Sequence, residues 1–134
     1  SYTDMPINHK IFLAQFDTIR KIADEGPCIL VGRCADYALE EYSNVLSVFI
    51  HADMDARIRR IARIYDLTDA KAKELIKKTD KRRSSYYNYY SNKKWGAAES
   101  YNICLDSSIR GIDGTAEAIE QLVALRESIT DTKL

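Results

Sequence analysis

The chain has 134 residues, 46% hydrophobic and 30% charged, which suits one compact domain over residues 1–134 and argues against disorder. Its 20 Lys+Arg balance 20 Asp+Glu, so no overall basic excess marks it as a dedicated nucleic-acid binder. No apolar run approaches the ~20 residues of a membrane span and no signal-peptide pattern opens the sequence, which points to a cytoplasmic protein without a membrane partner.

Residues 6–24 read as an amphipathic helix, with Phe12, Phe16, Ile19 and Ala23 on one face and Pro6 in the first turn, where proline is tolerated. Gly26-Pro27 stops it. Cys28-Ile29-Leu30-Val31 follows as a continuous apolar run, the pattern of a strand buried on both faces of a parallel sheet. Cys34–Tyr42 reads as a short helix and Leu46–Ile50 as a second buried strand. Asp53 is placed to cap the next helix, with Asp55 in its first turn. Ile58, Ile61, Ala62 and Tyr65 form that helix's apolar face, and Arg57, Arg59, Arg60 and Arg63 supply the rest.

Thr68 caps a longer helix whose stripe of Ala72, Leu75, Ile76, Thr79, Arg83, Tyr86 and Tyr90 turns from apolar to basic and aromatic, so its later turns are expected to leave the core. Asn102–Leu105 is a third strand. Asp113 can cap a last helix whose Ala116, Ile119, Leu122, Val123, Leu125 and Ile129 pack inward. Strands alternating with helices define an α/β domain: a parallel sheet between flanking helices, three layers in all. Three strands are few for a doubly covered sheet. Together with a first residue of Ser rather than Met, that suggests further sequence upstream. The three cysteines show no Cys-x-x-Cys spacing, so Cys28 and Cys104 read as buried reduced thiols rather than metal ligands.

Ligands of open parallel sheets bind beyond the carboxyl ends of the strands. There the sequence places Arg33 and Asp36, then His51 and Asp53, then Ser107 and Ser108. Arg33 offers a rigid donor fork to a phosphate. Asp36, one turn on, either holds Arg33 in an ion pair or accepts from a sugar or amino group. Arg57 and Arg60 lie along one helix side, where they serve a nucleotide or simply face water. His51 is a possible base or an incidental loop residue.

The strongest local signal is Lys77–Trp95, with seven basic residues against Asp80 alone and four tyrosines interleaved. Such a segment suits a lid over phosphates, a surface for single-stranded nucleic acid, or a helix whose tyrosines pack on a neighbour. Its entry from a capped helix and its return to a sheet strand favour the lid, spanning 68–95.

GPCILVGRCADYAL, LIKKTDKRRSSYYNYYSNKKWG and YNICLDSS resemble the cytidylate kinase-like family of bacterial proteins, within the P-loop nucleoside monophosphate kinase fold. The resemblance covers essentially the whole chain. It implies an ATP-dependent, Mg²⁺-requiring phosphotransferase acting on a nucleoside monophosphate or similar acceptor. Arg33 and Asp36 would then bind the acceptor; Lys78, Asp80, Arg82 and Arg83 would surround the transferred phosphoryl; Arg57, Arg60, Ser107 and Ser108 would lie on the ATP side.

Two departures stand out. Gly32-Arg33-Cys34-Ala35-Asp36 replaces the Gly-Arg-Asp-x-Gly of true cytidylate kinases. No Gly-x-x-x-x-Gly-Lys-Ser/Thr cradle can be drawn through the five glycines. The sequence thus resembles the C-terminal portion of such a kinase, inactive alone, with its P-loop and first strand upstream. Homo-oligomerisation or association with that N-terminal part would complete the sheet. A nucleic-acid module and a catalytically silent nucleotide-binding subunit are the alternatives.

Overall fold

In a computed structural model, described over residues 5–132, the chain divides into two compact units. The first comprises residues up to Val45 together with Ser85–Lys94; the second comprises Leu46–Ser84 and Trp95 onward.

In the first unit, α1 (Met5–Glu25) ends at Gly26, whose φ of 147° closes the helix as the Gly-Pro pair predicts. Phe12 and Ile19 are buried and Phe16 and Ala23 half-buried, so the expected face is the one that packs. Ile19 meets Ala38 and Leu39 around α2 (Ala35–Ala38), a single turn where the sequence suggests a longer helix. Phe12 stacks on Tyr90 at 4.0 Å between ring centres, and Tyr86 and Tyr89 close around Tyr90 at 4.9 and 4.8 Å.

These tyrosines belong to α4 (Asp69–Ser91). Tyr87, Tyr90 and Ser91 are buried, so the later turns of this helix do not leave the core as the stripe suggested. Aromatic side chains on α1 give them a partner surface that helix periodicity alone cannot reveal. The Tyr90 hydroxyl lies buried without a hydrogen-bond partner among the described residues, and burial pushes its pKa up.

The expected strand at Cys28–Val31 does not form, and Ile29 is 94% and Val31 89% exposed. A strand exists only through a neighbour's hydrogen bonds, and none runs beside this segment among the described residues. Cys28 is correspondingly exposed rather than buried. The three-stranded sheet of the sequence reading is thus corrected to two strands.

Those strands are in the second unit. β1 (Val48–His51) and β2 (Ile103–Asp106) pair in parallel, Val48 opposite Ile103 through His51 opposite Asp106. Asn102 fixes the register, its side-chain oxygen accepting from the Ser47 amide at 2.8 Å while its own amide donates to the Ser47 hydroxyl at 2.9 Å. α3 (Met54–Tyr65) starts at Asp53, whose carboxylate accepts from the Ala56 amide at 2.7 Å, the predicted cap. Thr68 caps α4 through the Lys71 amide at 3.2 Å.

α5 runs Gly111–Thr132, so Asp113 lies inside its first turn instead of capping it. There its charge still complements the helix dipole. Ile119 and Leu122 are half-buried, but Val123 and Leu125 are 40% and 58% exposed, and Ala116 is exposed too. On α3, Ile58, Ile61 and Ala62 are half-buried and Tyr65 is 60% exposed. A two-stranded sheet offers too little area to cover both helical faces. The Ile129 side chain lies outside the described residues.

Candidate functional site

A cavity of about 250 Å³ opens in the second unit at the carboxyl end of β1. Phe49, His51 and Ala52 form its floor, Arg57 enters from α3, Asp80 and Arg83 from α4, and Trp95-Gly96 from the segment after that helix. The basic helix and the strand end therefore meet, as open parallel sheets place their ligand sites.

Asp80 organises the charges. Its carboxylate accepts from Arg57 Nη2 at 2.8 Å and from Arg83 Nη2 at 3.1 Å. Two guanidiniums share one carboxylate, which leaves the cluster net positive. The Arg57 and Asp80 side chains are only 29% and 22% exposed, whereas Arg83 is 55% exposed. The inner pair is thus held firmly, while the outer arginine reaches toward solvent. Helical spacing explains half of this: Asp80 and Arg83 are one turn apart on α4. Arg57 joins through tertiary packing of α3.

The face opposite Asp80 is aromatic. The Arg83 guanidinium lies over the Trp95 ring at 4.7 Å. Trp95 stands edge-on to Phe49 at 5.2 Å, and Phe49 stacks on Tyr101 at 4.9 Å. The Tyr101 hydroxyl accepts from the Gly96 amide at 3.2 Å. Gly96 takes a φ of 78°, the left-handed conformation that turns the chain beside Phe49.

Of the residues singled out in the sequence, Arg57, Asp80 and Arg83 come together here. His51 also lines the cavity, exposed, opposite Asp106 in the sheet. Lys78, Arg82 and Arg60 are exposed and do not line it. Ser107 and Ser108 are tied into the turn after β2. The Ser107 amide donates to the His51 carbonyl at 2.9 Å, and the Ser108 amide and hydroxyl both donate to Asp106, at 2.9 and 2.6 Å. Those bonds from Ser108, with a smaller pull from His51, hold the Asp106 carboxyl below its usual range.

Arg33 and Asp36 are in the first unit. Asp36 accepts from the Tyr87 hydroxyl at 2.7 Å and the Tyr37 amide at 2.9 Å. Gly32, Arg33 and Cys34 all have positive φ, 73°, 57° and 55°, in a turn closed by the Ala35 amide on the Gly32 carbonyl at 3.1 Å. Two consecutive non-glycine residues in this region cost about 1–2 kcal/mol each. The turn leaves Arg33 exposed and Cys34 buried. Burial, then the nearby Asp36 charge, pushes the Cys34 thiol up to about 12. Sequence reasoning did not assign Trp95, Phe49 or Gly96 to a site; the available signal was the chain's single tryptophan, standing just past the end of the basic helix.

No group of three or more His, Cys, Asp or Glu side chains converges on a metal position among the described residues, and Asp80 is engaged by two arginines. No helix among the described residues is long and apolar enough to cross a membrane.

The fold and site define an α/β protein with parallel strands and an arginine-lined cavity at a strand end. The sequence model of the cytidylate kinase-like family matches residues 1–109, and the chain belongs to that family. A crystal structure of an uncharacterised protein from Eubacterium ventriosum ATCC 27560 is similar, with a TM-score of 0.82 and 31% identity over 87% of this chain and 74% of that one. No curated protein matches. Membership supports a kinase-like, nucleotide-binding role.

Proposed function

We propose that this chain binds a phosphorylated acceptor, a nucleoside monophosphate or similar small molecule, in the service of phosphoryl transfer from ATP. Arg57 and Arg83 take the phosphoryl oxygens, and Asp80 keeps the two guanidiniums oriented between ligands. The observation that supports this most directly is the net-positive Arg57–Asp80–Arg83 cluster in a cavity at a strand end. Phosphoryl transfer spreads charge over the transferred oxygens, and positioned arginines stabilise it.

No glycine-lysine cradle for a triphosphate can be drawn through the five glycines of the sequence, so on this reading these residues bind the acceptor without turning it over. A nucleic-acid surface fits less well, because Tyr87 and Tyr90 are buried, Tyr90 stacked on Phe12 of α1, and are not available for base stacking.

Calorimetric titration with nucleoside monophosphates and their parent nucleosides tests the proposal. The monophosphates bind and the nucleosides do not, and labelled ATP with Mg²⁺ gives no transfer. Equal affinity for nucleoside and monophosphate would overturn the phosphate assignment.

A further inference from the structure

Resting on that reading, we propose that Trp95 is a positioning residue that sets the phosphate affinity of Arg83. Among the described residues, the Arg83 guanidinium meets the Asp80 carboxylate at 3.1 Å and the Trp95 ring at 4.7 Å. Its side chain is 55% exposed, so the ion pair with Asp80 is screened by water and alone would leave the group several orientations. The indole restricts it. A guanidinium lying over an aromatic face keeps its N–H edge directed outward, here toward the cavity that both residues line.

The indole is itself braced. Phe49 meets it edge-on at 5.2 Å, Tyr101 backs Phe49, and the Tyr101 hydroxyl holds the Gly96 amide one residue along. The frame runs from β1 through the Trp95–Tyr101 segment to α4, and its end product is the placement of one guanidinium. Arg57 needs no such support, because its own side chain is 29% exposed and bonds Asp80 at 2.8 Å. Trp95 therefore acts through Arg83 and not through Arg57.

The experiment measures inorganic phosphate affinity of the full chain by calorimetry for wild type, Trp95→Leu, Trp95→Phe, Arg83→Ala and the Trp95→Leu/Arg83→Ala double variant. An exposed cation–π contact corresponds to a roughly two- to five-fold loss of affinity in Trp95→Leu, with Trp95→Phe in between. In the Arg83→Ala background the tryptophan change has no further effect. Wild-type affinity in both Trp95 variants overturns the proposal. So does an equal loss with and without Arg83, since that marks a packing role at Phe49.

If Arg83→Ala itself binds phosphate like wild type, the phosphate reading of the cavity fails, which is a different result from failure of the Trp95 role alone. Should Trp95→Leu not fold, Trp95→Phe carries the test. The Arg83 Nε–H resonance, shifted upfield by the indole, then moves toward its ordinary position in proportion to the lost affinity; an unshifted resonance in wild type overturns the proposal.

Discussion

Replacing Asp80 by Asn should move stability and anion binding in opposite directions. The carboxylate accepts from Arg57 at 2.8 Å with both side chains more than two-thirds buried, a charge-assisted contact of about 1.5–3 kcal/mol. Its contact with the more exposed Arg83 adds at most about 0.5 kcal/mol. An amide keeps one acceptor oxygen, so the expected net loss is about 1–2 kcal/mol in urea unfolding, a sizeable part of the ~5–15 kcal/mol of an ordinary domain.

For a phosphate in the cavity the sign reverses, because Asp80 competes for the same guanidiniums. Opposite charges 4 Å apart are worth about 4 kcal/mol at a surface-like dielectric and about 1 kcal/mol in water. With Arg83 half in solvent the lower figure applies, giving roughly five-fold tighter phosphate binding, and the gain shrinks at high salt. Calorimetry at low and high salt, beside the unfolding curves, reads both effects. Weaker phosphate binding with unchanged stability would refute the reasoning and make Asp80 a direct ligand contact.

The left-handed turn at Arg33 should distinguish Gly from Ala: Arg33→Gly is expected to be about 1 kcal/mol more stable than Arg33→Ala, since only glycine removes the strain at φ 57°. Equal unfolding midpoints would show that the turn is relaxed. Exposed Cys28 should react with iodoacetamide at mildly alkaline pH while Cys34, 4% exposed with its thiol pushed up to about 12, reacts only on unfolding. Because the folded thiol holds its proton above the unfolded value near 9, the Cys34 contribution is fully present below that pH and is lost as pH rises toward 12. The stability difference between wild type and Cys34→Ala should therefore narrow across that window, and a constant difference would contradict it.

Local chemistry made much of the fold readable. The caps at Asp53 and Thr68 and the stop at Gly26 follow from short-range rules, and the two apolar runs that do pair are continuous and bounded, the pattern of buried parallel strands. The first apolar run failed as a strand because strand character is a property of a pair, and Ile29 and Val31 have no pair here. The expectation that the later turns of α4 leave the core failed for a similar reason: Tyr90 is stacked on Phe12 of α1, far away in sequence. At the site, Asp80 and Arg83 were legible as members of the basic segment and, through the resemblance, among the four residues expected around the phosphoryl group. Arg57 was legible together with Arg60, as one side of the arginine-rich α3. That Arg57 and not Arg60 lines the cavity depends on its contact with Asp80 of α4, and the bracing of Trp95 by Phe49 depends on a strand more than forty residues earlier, so neither leaves a mark in local spacing.

The central claim is that Arg57 and Arg83 form a phosphate site, and equilibrium binding of a nucleoside monophosphate to wild type, Arg57→Ala and Arg83→Ala tests it most directly. A charge-assisted contact to phosphate predicts a loss of roughly ten-fold or more in each variant, with circular dichroism showing that the fold is kept. Wild-type affinity in both folded variants would contradict the account.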